Sequence, residues 1–145
     1  MKITIFKPII LILLLLASCN EDEAPAQTPV EGTWRITAIK VSNASLRQLT
    51  PDNEILTIDF QADGTFTGST SVNQFSGTYR LENTTLTMLS FTTTEVADTT
   101  FGTAFYAAIT EAQVPDRTFA QFSFLLESGD LLMTFGDGGE FVLEQ

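Results

Sequence analysis

From Glu31 to Gln145 the apolar residues recur at nearly every second position, the spacing that puts them on one face of a β-strand. Thr33 to Val41 carries Trp34, Ile36 and Ala38 on one face. Leu56, Ile58 and Phe60 alternate with Thr57, Asp59 and Gln61. Asp63-Gly64 then supplies the residues that tolerate the positive φ of a tight hairpin turn, and Thr65 to Ser71 is the return strand. Phe75, Gly77, Tyr79 and Leu81 share the next face, and the chain turns at Glu82-Asn83-Thr84 into Leu86 and Met88. These strands form a meander.

The period then changes. Phe101, Phe105 and Ile109, joined by Ala104, Ala108 and Ala112, make one apolar stripe of a helix of about 14 residues from Thr99 to Ala112. Asp98, Thr99 and Thr100 are candidate caps for its start, and Val114-Pro115 ends it. Alternation resumes in three more runs, Phe122 to Leu126, Leu131 to Phe135 and Phe141 to Leu143, separated by turns at Ser128-Gly129-Asp130 and Asp137-Gly138-Gly139. The predicted fold is mainly β: about eight antiparallel strands in a barrel or strongly curved sheet, with one amphipathic helix between strands five and six. Closure is expected because it removes unpaired edges. A barrel of that size is either filled by side chains or holds one small ligand.

The first 30 residues follow a different logic. Lys2 and Lys7 precede the apolar run Ile9 to Ala17, which is too short to span a bilayer as a helix and has the layout of an export signal. It ends in Leu16-Ala17-Ser18-Cys19, which resembles the lipobox of bacterial lipoproteins. That resemblance makes residues 1–18 a signal peptide and Cys19 the site of acyl attachment. More than one acyl chain there gives durable membrane anchoring. Asn20 to Val30 is polar, acidic and Pro-containing, and reads as a tether reaching at most about 35–40 Å. The folded domain is assigned to residues 31–145. Asn20 and the acidic Glu21-Asp22-Glu23 resemble the surface-export signal of Bacteroidota lipoproteins. The expected location is the outer membrane, surface-exposed or facing the periplasm.

Composition narrows the chemistry. With 7 basic and 18 acidic residues the net charge is −11, which opposes binding to nucleic acid. The absence of histidine removes Ser/His/Asp and Cys/His triads, imidazole acid–base work and His-ligated zinc. Cys19 is the single cysteine, so no intrachain disulfide forms. Asp59 with Asp63, and Asp137 with Glu140, are the closest carboxylate spacings for a cation, but neither matches a calcium loop and the Asp-Gly pairs are explained as turns. No acid sits in an apolar setting suited to glycoside cleavage. Asn43-Ala44-Ser45 and Asn83-Thr84-Thr85 match glycosylation acceptors but read as turns, and Asp98-Thr99-Thr100 reads equally as a helix cap or a short O-glycosylation motif. No catalytic residue, cofactor or metal is assigned.

The stretch Gly68-Ser69-Thr70-Ser71-Val72-Asn73-Gln74-Phe75-Ser76-Gly77-Thr78-Tyr79 resembles the signature of the META domain, a family of bacterial heat-shock-type and secreted lipoproteins. Met88 to Ala97, the helical stripe from Phe101, the opening Gly32-Thr33-Trp34 and the final strands fit the same pattern. The resemblance implies a β-domain with one helix, a role in envelope maintenance or stress, and no established catalysis. Asn73, Phe75, Gly77 and Tyr79 are its matching motif residues, and their expected role is structural. In the family so resembled, many members carry cysteines where Val72 stands and near Asp98; both are absent here, the joint loss that chemistry predicts if the pair forms a disulfide in those members.

Trp34, two residues after Gly32, is similar to the Gly-x-Trp opening of lipocalins, and is a candidate barrel-end residue. The leading expectation is a lipid-anchored, non-enzymatic lipoprotein with a monomeric domain, held at the membrane through Cys19 and acting on an envelope protein. The alternative is a lipocalin-like carrier of a small apolar ligand. An enclosed cavity would favour the carrier, and a core filled by Phe60, Phe66, Phe122 and Phe124 would count against it. A third reading is an inhibitor or chaperone-like binder that uses a sheet edge or an apolar patch.

Overall fold

A computed structural model describes residues 29–145. The signal, lipobox and acyl site (Leu16, Ala17, Ser18 and Cys19) lie outside the described residues. The elements are β1 (Gly32–Lys40), β2 (Gln48–Leu49), β3 (Thr57–Phe60), β4 (Thr65–Ser69), β5 (Gln74–Glu82), β6 (Thr85–Thr93), α1 (Thr100–Glu111), β7 (Ala120–Glu127), β8 (Asp130–Phe135) and β9 (Gly139–Glu144). Every strand pairs antiparallel with its neighbour, and β9 returns to β1 to close the sheet. The ring contains eight strands; β2 lies outside it, extending the β3 side of β1 through Ala38 and Ile39. Because β2 is two polar-flanked residues with no alternation, the pattern does not announce it, and α1 therefore falls between β6 and β7 in chain order rather than between strands five and six.

Two bulges interrupt the alternation. Ile36 faces Leu143 while Ala38 faces Val142, so Thr37 is an extra residue on β1. The parity flips there, so Ile39 joins the main core cluster, while Ala38, also buried, stands outside that cluster opposite Leu49 of β2. Similarly Thr78 faces Ser90 while Tyr79 faces Met88, which makes Leu89 the extra residue on β6. Leu86 and Met88 are therefore buried before the bulge, whereas Phe91 packs inward after it. Strand β4 stops at Ser69, short of the expected Ser71, because Thr70 turns the chain: its N–H donates to the Asn73 carbonyl at 2.9 Å. Leu126 is exposed, against expectation. The β7–β8 hairpin runs past the start of β6, where the Phe124 N–H bonds the Thr84 carbonyl, so nothing covers its tip.

Strands β6 and β7 pair only from Thr85 to Met88, and beyond that they diverge. Helix α1 fills the gap. Thr99 caps it, its Oγ accepting from the Gly102 N–H at 3.0 Å, and Ala112 ends it. Phe101, Phe105, Ala108 and Ile109 face the barrel. Phe105 meets Phe75 at 4.9 Å and Phe141 at 5.7 Å between ring centroids. Ring contacts continue through Phe91 and Phe66 to Phe60 and Tyr79 on one side, and through Phe122 to Phe135 on the other. The barrel interior is thus packed by aromatic side chains. Val30, assigned above to the tether, is fully buried in this core because its carbonyl accepts the Trp34 indole N–H at 2.8 Å.

Candidate functional site

Asn73 sits in the β4–β5 turn, 2% exposed, and its side-chain amide is fully used. Its Nδ2 donates to the Val96 carbonyl at 2.8 Å and to Asp98 Oδ2 at 2.9 Å. Its Oδ1 accepts from Thr94 Oγ at 2.8 Å and from the Val96 N–H at 3.0 Å. Thr70 completes the cluster, donating to Asp98 Oδ2 at 2.5 Å while accepting from the Asn73 N–H at 2.8 Å. Asp98 Oδ1 in turn accepts from the Thr99 N–H at 2.7 Å. Partial burial on its own would raise the Asp98 pKa, but the hydrogen bonds from Thr70, Asn73 and Thr99 outweigh it and hold the carboxyl below its ordinary value. The cluster clamps the 70–73 turn to the segment that launches α1, with Val72 and Asp98 on its two halves.

The other motif residues pack. Phe75 stacks on Phe91 at 5.4 Å. A Cβ on Gly77 would stand 2.0 Å from the Ser90 carbonyl and 2.6 Å from the Phe66 ring, so only glycine lets β5, β6 and that ring approach so closely. Tyr79 contacts Phe60 at 5.0 Å and donates its hydroxyl to the Gln61 carbonyl at 2.8 Å. Trp34 is 1% exposed, paired with Ile58 near the end where β1 begins.

The carboxylates singled out in the sequence are engaged separately. Asp63 accepts from the Thr65 hydroxyl and N–H in its turn, which lowers its pKa. Glu140 pairs with Arg47 at 2.6 Å and Lys40 at 3.6 Å, and the Arg47 hydrogen bond is the main cause of its lowered pKa. Among the described residues no group of three potential ligands is placed to hold a metal. Asn43 and Asn83 both occupy turns at positive φ.

The outer face of β3–β6 carries a feature that no sequence motif marks. An open groove of about 610 Å³ lies there. Asp59, Thr67, Ser76 and Thr92 are direct cross-strand neighbours and form one row along it. Thr57, Ser69 and Gln74 form a second row, extended by Thr94, whose N–H donates to the Gln74 carbonyl at 3.0 Å. Between β3 and β6 neither row contains lysine or arginine; Arg35 on β1 stands opposite Thr57, beyond the groove's lining. Thr33 donates to Asp59 Oδ1 at 2.9 Å, and Thr94 is held by Asn73. Among the described residues no hydrogen-bond partner engages the hydroxyls of Thr67, Ser76 and Thr92. The signal was present as hydroxyls at the outward positions of successive strands, but only the register shows that they line up.

Comparison with known proteins agrees with this architecture. The NMR structure of a protein from Burkholderia xenovorans is similar, with 16% identity, 79% of this chain and 81% of that chain covered, and a TM-score of 0.60. At that identity the likeness is one of fold. No curated protein matches the chain. The model of the META domain matches residues 27–143, a span that takes in the Asn73 clamp, the Gly77 contact and the closing strands. A match over that much of the sequence establishes membership: the chain belongs to the META domain family.

Proposed function

We propose that this META domain protein is a lipid-anchored, non-enzymatic envelope lipoprotein whose barrel is a binding module working through its outer surface. One observation carries the reading: the barrel interior is filled, with Phe60, Phe66 and Phe122 at most 1% exposed, while the groove on β3–β6 is open and rich in hydroxyl side chains. The barrel architecture is shared with lipocalin-like carriers, but the space an apolar ligand needs is taken by those rings and by Phe124. The anchor rests on Leu16-Ala17-Ser18-Cys19, and the tether after it keeps the domain near the outer membrane. Chain direction adds a geometry. The N-terminal side enters at the end of the barrel that holds the β3–β4, β5–β6 and β7–β8 turns, whereas α1 and the 70–73 turn lie at the other end.

The test is metabolic labelling with a radioactive fatty acid in a Gram-negative host. The wild-type chain is expected to take up label and to fractionate with the outer membrane. Cys19→Ala is expected to lose the label and its firm hold on the membrane. Label retained by Cys19→Ala, or absent from the wild type, overturns the anchored reading.

A further inference from the structure

We infer that the groove on the outer face of β3–β6 is a binding site for a neutral oligosaccharide. This rests on the reading that function lies outside the barrel rather than within it. The argument begins with what the groove offers. Strands β4 and β5 are hydrogen-bonded on both edges, so the backbone there is spent and side chains do the recognising. Those side chains are hydroxyls with the methyl groups of the threonines, one amide, one carboxylate and the edge of the Phe75 ring. The cation nearest in register, Arg35 opposite Thr57 on β1, lies outside the groove's lining, and an anionic ligand in the groove would meet Asp59 instead. An apolar ligand would strip water from hydroxyls and give nothing in return. A sugar supplies what is missing, because each of its hydroxyls both donates and accepts, as do the rotatable hydroxyls of Ser and Thr.

The geometry fits an extended chain of sugars. Strands stand about 4.8 Å apart, so the row from Asp59 through Thr67 and Ser76 to Thr92 spans about 14 Å, the length of a trisaccharide. The second row runs parallel to it about 6.7 Å away along the strands. The groove's volume of about 610 Å³ falls in the range of small-molecule sites. Asp59 has one oxygen held by Thr33 and a second carboxylate oxygen that accepts a sugar hydroxyl at the end of the row. Thr94 is held in place by the Asn73 clamp, which gives the motif asparagine a positioning role at the far corner of the site.

The experiment uses the full chain with Cys19→Ala in a detergent without sugar headgroups, with Thr and Ile methyl groups isotopically labelled for NMR. Cellotriose and chitotriose are the probes. Since hydrogen bonds to solvent-exposed hydroxyls replace bonds to water, a Kd on the order of 1 mM is expected. Shifts should be confined to Thr57, Thr67, Thr92 and Thr94, with Thr134 on the opposite side unmoved. Thr67→Val/Thr92→Val keeps shape and strand preference while removing two hydroxyls, and should weaken binding by about tenfold or more. Ser76→Ala is the milder variant, expected to weaken it about threefold, should the double substitution disturb the fold. No shift with either sugar up to about 10 mM overturns the inference, as does binding that these variants leave unchanged. Shifts at the core methyl groups of Ile36 and Ile58 would instead overturn the reading of a filled barrel. Fatty-acid labelling is indifferent to all of these outcomes, so failure of the groove and failure of the anchor are separable.

Discussion

Replacing Asn73 by alanine removes four side-chain hydrogen bonds from one buried point. Three of them join neutral groups and contribute about 0.5–1.5 kcal/mol each, while the bond to the Asp98 carboxylate contributes about 1.5–3 kcal/mol. Val96 is 60% exposed, so water replaces part of what its backbone loses, and Asp98 Oδ2 keeps Thr70. The expected loss is therefore near the lower end of the sum, about 3 kcal/mol. That is a large share of the roughly 5–15 kcal/mol by which a domain of this kind is stable. With a urea slope of about 2 kcal/mol/M the unfolding midpoint should fall by about 1.5 M.

Asn73→Asp sharpens the test. It keeps the shape and the acceptors, loses both donors, and sets a carboxylate at the 2.9 Å separation from Asp98 Oδ2. Two carboxylates so placed raise the pKa of one of them. A raised folded pKa stabilises below the unfolded value and loses that contribution as pH rises, so Asn73→Asp should be weak at pH 7 and recover on mild acidification. The assay is urea unfolding followed by tryptophan fluorescence from Trp34. An alanine variant within about 0.3 M of wild type, or an aspartate variant as stable as wild type at pH 7, would refute the clamp.

Gly77→Ala should cost about 2–3 kcal/mol in the same assay, because its Cβ meets a backbone carbonyl on β6 that has no rotamer to escape into; a cost below about 0.5 kcal/mol would refute the close approach. The lowered Asp98 pKa means that the unfolded chain binds the proton first, so stability present above the ordinary value of 3.8 is lost as pH falls through the folded one. Asp98→Asn should flatten that part of the acid-unfolding curve while being less stable than wild type at pH 7. Parallel pH titrations of unfolding that superimpose for the two proteins would contradict the assignment.

The strand faces were legible because burial imposes a period of two, and the helix because its stripe has a period near four. A cap within Asp98–Thr100 was legible for the same local reason, since a side chain three residues from its partner needs no tertiary contact, and the structure selects Thr99. What failed to show was whatever depends on a partner distant in sequence. Thr37 and Leu89 are bulges only because Leu143–Val142 and Thr78–Tyr79 run opposite them. Leu126 has the pattern of a core residue, and is exposed because β6 starts opposite Ser123 and does not reach it. The motif residues Asn73, Phe75, Gly77 and Tyr79 were found by resemblance, but the clamp through Thr94, Val96 and Asp98 spans 21 to 25 positions and no spacing rule reaches it.

Taken alone, the sequence determined the number and facing of most strands, the single helix and its ends, the family pattern, the lack of histidine chemistry and the expectation of a lipid anchor at Cys19. It also supplied enough phenylalanine to fill a barrel or to line one. Tertiary structure decided that the barrel is filled, that α1 enters where β6 and β7 part, and that hydroxyls from four strands align into a groove. The division has one physical cause. Periodicity records which way a side chain points, a property of neighbouring residues, whereas register, closure and cavity volume are set by the mutual fit of strands far apart in the chain.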